Sequence, residues 1–160
     1  MPRNQLKILA VDPGYAITGW AIVEKKQSQL ALLAYGAITT NKNMPHAERL
    51  KVLSLKLKEI IKRHKPNTLA IEELFFFKNL KTALKVAEAR GVILLSAIEQ
   101  NLEIKEYTPL QIKQALVGYG RAEKKQIQHM VKIIFQLKTI PEPDDIADAM
   151  AIAVTCAHSL

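Results

Sequence analysis

The stretch Pro143-Asp144-Asp145-Ile146-Ala147-Asp148-Ala149-Met150-Ala151 puts three carboxylates in the opening turns of a helix that is otherwise apolar or small on every side as far as Ala157. A helix of that composition belongs in a protein interior, so the charges at its head need a reason. Asp145 and Asp148 are three apart and share a helix face, and the alanines beside them let the helix approach a sheet closely. Two anions held on a dry face repel and push each other's pKa values up unless something positive lies between them. A divalent cation answers that need. The alternative for this segment alone is that Asp144, just after a proline, caps the helix while the other two complement its dipole.

The rest of the chain reads as alternating strands and helices. Residues 7–12 are a nearly continuous apolar run that ends at Asp12 and is stopped by Pro13-Gly14, the pattern of a strand buried on both faces. Residues 19–23 and 30–38 give two more strands joined by a polar turn over 24–29, spaced for antiparallel hairpins. Between Pro45 and Lys65, Leu50, Leu53, Leu57, Ile60 and Ile61 recur at helical spacing with Lys51, Lys56, Lys58, Lys62 and Arg63 outside, an amphipathic helix with a basic face. A fourth strand, residues 68–73, again ends in acid. A strand, a helix and a parallel strand form a crossover unit with ligand sites outside the carboxyl ends of the strands, so Asp12 and an acid of the fourth strand can be neighbours. The period of two puts Ile8, Ala10 and Asp12 on one face, and Ala70 and Glu72 on one face with Glu73 opposite. Spacing alone does not decide between Glu72 and Glu73 for the site.

Residues 78–100 are read as a long helix, amphipathic at first and apolar almost all round after Gly91, a surface that suits either contact with a second copy of the chain or full burial inside one domain. A fifth strand (104–108), a short helix (109–117) and a break at Gly118-Tyr119-Gly120 follow. The next helix is expected over 122–138, burying Ile127, Met130, Val131, Ile134 and Leu137 and carrying Lys125, His129 and Lys132 on another face.

At 160 residues, with no repeat or linker, the whole chain is read as one domain. A formal charge of +8 favours a polyanionic partner, nucleic acid ahead of an acidic membrane. The lone Cys156 excludes an internal disulfide and a Cys-rich metal site. The first five residues lack a signal-type apolar region and the longest apolar run, near residues 92–95, is too short to span a bilayer, so a soluble cytoplasmic protein is expected. Carboxylates without His or Cys suit magnesium or manganese. Four of them at one sheet edge could hold two ions about 4 Å apart, the arrangement that activates a water and stabilises the leaving oxygen of a phosphodiester. With basic helices that neutralise phosphates whatever the sequence, this is nuclease chemistry. A non-catalytic nucleic-acid-binding module, with the acids only organising the fold, is the competing class.

Taken in order through essentially the whole chain, Val11-Asp12-Pro13-Gly14, Ala70-Ile71-Glu72, Lys78-Asn79, Ala89-Arg90-Gly91, residues 118–124, Gln128-His129-Met130 and Asp145-Ile146-Ala147-Asp148-Ala149 resemble the RuvC family of Holliday-junction resolvases. The resemblance implies an α/β, ribonuclease H-like fold: a five-stranded mixed sheet, strands one to three antiparallel and four and five parallel to the first, flanked by helices. It implies a homodimer making paired symmetric nicks in a four-way DNA junction by two-metal hydrolysis, leaving 5′-phosphate ends, with RuvA and RuvB as partners. Magnesium is the implied ion, two per subunit, with manganese a substitute. On the family pattern Asp12, Glu72, Asp145 and Asp148 are the metal-binding catalytic acids, which selects Glu72 over Glu73. Phe75 matches an aromatic that stacks on bases, and Lys113 and Lys124 match basic residues near the scissile phosphate. Lys78, Lys125 and His129 complete the expected DNA contacts. Arg121 stands where the family often has a serine, which removes a helix cap and adds a charge near the DNA.

Overall fold

The computed structural model describes residues 5–14, 16–74 and 79–160. A single mixed sheet has the order β3-β2-β1-β4-β5. Strands β1 (Gln5–Asp12), β2 (Ile17–Lys26) and β3 (Gln29–Thr39) form the antiparallel half, and β4 (Thr68–Glu72) and β5 (Glu103–Tyr107) run parallel to β1. Helices α1 (His46–His64) and α2 (Leu80–Glu99) cover one face. Helices α3 (Pro109–Val117), α4 (Lys124–Ile134) and α5 (Asp144–Ser159) cover the other. This is the mixed α/β architecture expected from the sequence.

Strand alternation sorts the core into two layers. Leu9, Val11, Ile22, Leu69 and Ile71 point toward Leu53, Leu57 and Ile61 of α1 and Ala89, Ile93 and Ala97 of α2. Ile8, Ala10, Ala21, Val23 and Ala70 point toward α5, and the sheet positions there are small. Helix α5 can therefore lie close against the sheet, and Ile146, Ala147 and every residue from Ala149 to Ala157 are buried. Its far end is satisfied by the Lys25 ammonium, which donates to the carbonyls of Ala157 at 2.6 Å and Leu160 at 2.7 Å, as cations at helix C-termini do.

The nearest approach is at the helix head. Gly19 of β2 pairs with Asp12 of β1, and a Cβ at Gly19 would stand 2.1 Å from the carbonyl oxygen of Asp145 and 2.8 Å from the nitrogen of Ile146. Only a hydrogen side chain leaves room for this backbone contact. Asp145 is thereby seated beside the end of β1.

Three local expectations are corrected. Helix α4 runs over Lys124–Ile134 rather than 122–138. Gln136 takes a left-handed φ of 53°, its N–H donates to the Ile133 carbonyl, and the Leu137 N–H reaches the Lys132 carbonyl at 2.9 Å, a Schellman closure achieved without glycine. The helix begins at Glu123, whose N–H donates to Gln126 Oε1 at 2.8 Å. The residue at 121 is thus not the cap, and Arg121 costs this helix nothing at its start. The β2–β3 turn is tighter than expected, with Gln27 at a φ of 56°. Glu24 stays in the strand, its carboxylate against the Gln5 amide and 3.1 Å from Lys26 Nζ.

Substituting Gly19→Ala must move backbone, because the clashing atoms belong to α5 itself. We expect a loss of about 1–3 kcal/mol, which lowers Tm by roughly 2–12 °C at this chain length, measured by thermal unfolding.

Candidate active site

The four acids singled out in the sequence come from three elements that end at the same edge. Asp12 closes β1 and Glu72 closes β4. The parallel pairing of these strands reaches Val11 with Ile71, so the two carboxylates follow one step further on neighbouring strands. By parity both lie on the α5 side, with Ala10 and Ala70 beneath them in that core layer. Asp145 and Asp148 lie in the first turns of α5, and the Asp145 carboxylate sits over Gly14, whose added Cβ would be 3.5 Å from Oδ1. Glu73 is exposed and its N–H donates to the Tyr107 carbonyl at 2.7 Å, so it extends the strand contact and stays outside the cluster.

Electrostatics join the group. Burial pushes the Asp12 carboxyl up to about 8, with further contributions from the charges of Asp148, Asp145 and Glu72 and from a carboxyl–carboxyl hydrogen bond to Asp148. Glu72 is raised by burial and then by Asp148, partly offset by Lys113. Asp145 and Asp148 are raised by burial as well, Asp148 against the opposing pull of Lys124. Asp144 differs from its neighbours: the Lys124 ammonium holds it below the usual carboxylate range. The N-cap is Pro143 and Asp144 is the first helical residue, its carboxylate also held down by the backbone N–H groups of Asp144 and Asp145. Asp144 is therefore not the N-cap residue expected from the sequence, and it adds an ion pair, the Lys124 ammonium resting on Asp144 Oδ2 and 3.5 Å from Asp148 Oδ2.

Beside the acids opens a cleft of 290 Å³ whose walls include Glu72, Asp148, Lys113 and Lys124. Its lining thus mixes two carboxylates with two ammonium groups, and the Lys124 ammonium lies 3.5 Å from Asp148 Oδ2. Among the described residues, no three acidic, histidine or cysteine side chains close around a single point. A set of hard oxygens that repel one another without enclosing an ion suits a hydrated divalent cation, which completes its coordination with water and phosphate oxygens. The ammonium already drawn to Asp148 shows that this group attracts positive charge.

Other expected residues lie elsewhere. Lys125 and His129 are exposed and line a separate groove with Leu116, Val117, Tyr119 and Met130. Arg121 is exposed in the turn between α3 and α4. Phe75 and Lys78 lie outside the described residues. Arg90, read in the sequence only as part of a motif, has a structural part here. Its Nε donates to the Glu72 carbonyl at 3.2 Å and its guanidinium pairs with Glu106 at 3.2 Å, tying α2 to the strand ends that carry the site. Its position one residue before Gly91 on an amphipathic helix gave no sign of that contact.

Comparison with known proteins places the chain in a family. Residues 8–156 match the family described as Crossover junction endodeoxyribonuclease RuvC. The chain is 54% identical over 152 residues to the crossover junction endodeoxyribonuclease RuvC of Alkaliphilus oremlandii, covering 95% of this chain and 93% of the relative. It is 51% identical over 153 residues to that of Heliobacterium modesticaldum, covering 96% and 94%. The structure of Thermus thermophilus RuvC in complex with Holliday junction substrate superposes with a TM-score of 0.90 at 34% identity, covering 96% of this chain and 94% of that one. Matched over nearly its whole length in sequence and fold, with its strand-end acids at one edge, the chain belongs to the RuvC family of crossover junction endodeoxyribonucleases.

Proposed function

We propose that this chain, as one nuclease domain over residues 1–160, resolves four-way DNA junctions in recombination and repair by cutting two strands symmetrically to leave 5′-phosphate ends. The observation that carries the reading is the grouping of Asp12, Glu72, Asp145 and Asp148, two of which line a cleft together with Lys113 and Lys124. These four acids would hold the divalent ions, magnesium in the first instance with manganese as a substitute. When bound, two such ions supply an activated water and stabilise the leaving oxygen of the phosphodiester.

The chain's own residues do the rest. Lys113 and Lys124 neutralise phosphate oxygens entering the cleft, Asp12 gives up its proton on loading, and Gly19 and Arg90 hold Asp145 and the Glu72 strand end in place. Lys78, Arg121, Lys125 and His129 extend the phosphate track, a sequence-independent contribution that salt weakens, and Phe75 stacks on bases near the junction. RuvA and RuvB are the proposed branch-migration partners.

The proposed homodimer is supported by α2. Leu80, Leu84, Leu95 and Ile98 are 72%, 56%, 60% and 57% exposed and fall on one stripe at helical spacing. Gly91 lies in the same stripe, where an added Cβ would meet nothing within 4 Å, so a partner's backbone can come close. Introducing charge there with Leu84→Glu and Leu95→Glu should convert a dimer to a monomer in multi-angle light scattering and remove paired nicking.

The central test is strand-specific cleavage of a synthetic four-way junction beside linear duplex and RNA–DNA hybrid, with and without magnesium. Paired symmetric nicks confined to the junction and dependent on the ion are expected, whereas cutting of the hybrid in preference would overturn the substrate. Asp145→Asn should slow cutting by more than about 100-fold while junction binding in a gel-shift assay persists.

Acidity gives a further check. Burial and the neighbouring acids push the Asp12 carboxyl from its ordinary 3.8 in the open chain up to about 8 in the fold. Between those values the folded state holds a proton that the unfolded state has lost, so this group's contribution to stability falls as pH rises from about 4 toward 8. Thermal unfolding in chelator should show that decline, and saturating magnesium should flatten it, because loading requires the ionised carboxylate.

A further inference from the structure

Lys124 and Asp144 begin two different helices, α4 and α5, and meet at the cleft mouth. The Lys124 ammonium contacts Asp144 Oδ2 and stands 3.5 Å from Asp148 Oδ2. All three side chains reach water: Lys124 is 56% exposed, Asp144 53% and Asp148 33%. Asp144 is directed at the lysine, while Asp145 and Asp148 turn toward the strand-end acids. The lysine thus stands at the Asp148 edge of the acids, held by a carboxylate, Asp144, that the cluster itself does not use.

We propose that Lys124 is the internal counter-ion of the metal-free acidic cluster, parked over Asp148 by Asp144, and that it leaves Asp148 when a divalent cation is bound there. Asp144 is then a positioning residue, acting through Lys124. An exposed ion pair is weak and screened, so it yields readily to a doubly charged competitor at the same carboxylate. The displaced ammonium has a short way to go, because Lys124 lines the same cleft as Lys113 and Glu72. From there it meets an entering phosphate. The exchange keeps the cluster partly neutralised before loading and delivers a cation to the substrate side after it. This inference rests on the metal reading given under Proposed function, and its test separates the two.

The test follows lysine and carboxylate resonances of the isotopically labelled full chain during a magnesium titration without DNA. The Lys124 signals are assigned by their loss in K124R. In the metal-free protein the Lys124 Cε–Hε group should be restrained relative to other surface lysines. Magnesium saturation should make it mobile while the Asp145 and Asp148 carboxyl signals shift. In D144N, a surface change that leaves α5 packed, Lys124 should be mobile before any magnesium is added. Carboxyl shifts with Lys124 still restrained would overturn the exchange and leave the metal site standing. A Lys124 that stays restrained in D144N would overturn the part given to Asp144. If neither carboxyl nor lysine signals respond to magnesium, the metal reading falls and the exchange with it.

Discussion

The contact on which the rest depends is the seating of the α5 head on Gly19. Backbone lies against backbone there, with no side chain between, and the glycine is the residue paired with Asp12. Small residues on the sheet face, Ala10, Ala21 and Ala70, continue the close approach along the helix. The consequence is electrostatic. A helix held this close carries Asp145 and Asp148 into range of Asp12 and Glu72, and the buried apolar body of α5 fixes them there. The fold thus spends the packing of its most apolar helix on holding together groups that repel one another.

Repulsion of that kind persists only where something offsets it. The Lys113 charge offsets part of it at Glu72 and the Lys124 charge part of it at Asp148, while the Asp12 carboxyl is pushed up. The basic residues accordingly divide into two sets. Lys113 and Lys124 line the same cleft as Glu72 and Asp148, while Lys125 and His129 lie in another groove of the α3–α4 pair. A net positive charge attracts a polyanion in general, whereas the inward pair places two ammonium groups in the cleft beside Glu72 and Asp148.

Much of this was legible in the residues. Strand parity alone put Asp12 and Glu72 on one face with small neighbours, and the structure keeps that arrangement. The apolar helix with an acidic head, the basic face of α1 and the five-strand order of elements were read from periodicity. The errors have identifiable causes. The apolar spacing of α4 continues to Leu137, which still packs against the core, but the helix ends earlier because Gln136 adopts a conformation usually signalled by glycine. Glu24 looked like turn because it is charged, yet Gln5 and Lys26 hold it in the strand. Asp144 reads as the cap because it follows proline, yet Pro143 itself takes that position and Asp144, one residue inside, also pairs with a lysine from another helix.

What the sequence by itself determined is whatever local rules govern: the periods of two and 3.6, the acids at strand ends, the apolar character of the last helix, and a family pattern spread along the chain. Tertiary structure alone decided which lysine meets which acid, that Arg90 braces the Glu72 strand end, and that Gly19 makes room for Asp145. Those outcomes rest on contacts between segments far apart in the chain. Their geometry follows from how closely helices and sheet pack, and no local pattern carries that distance.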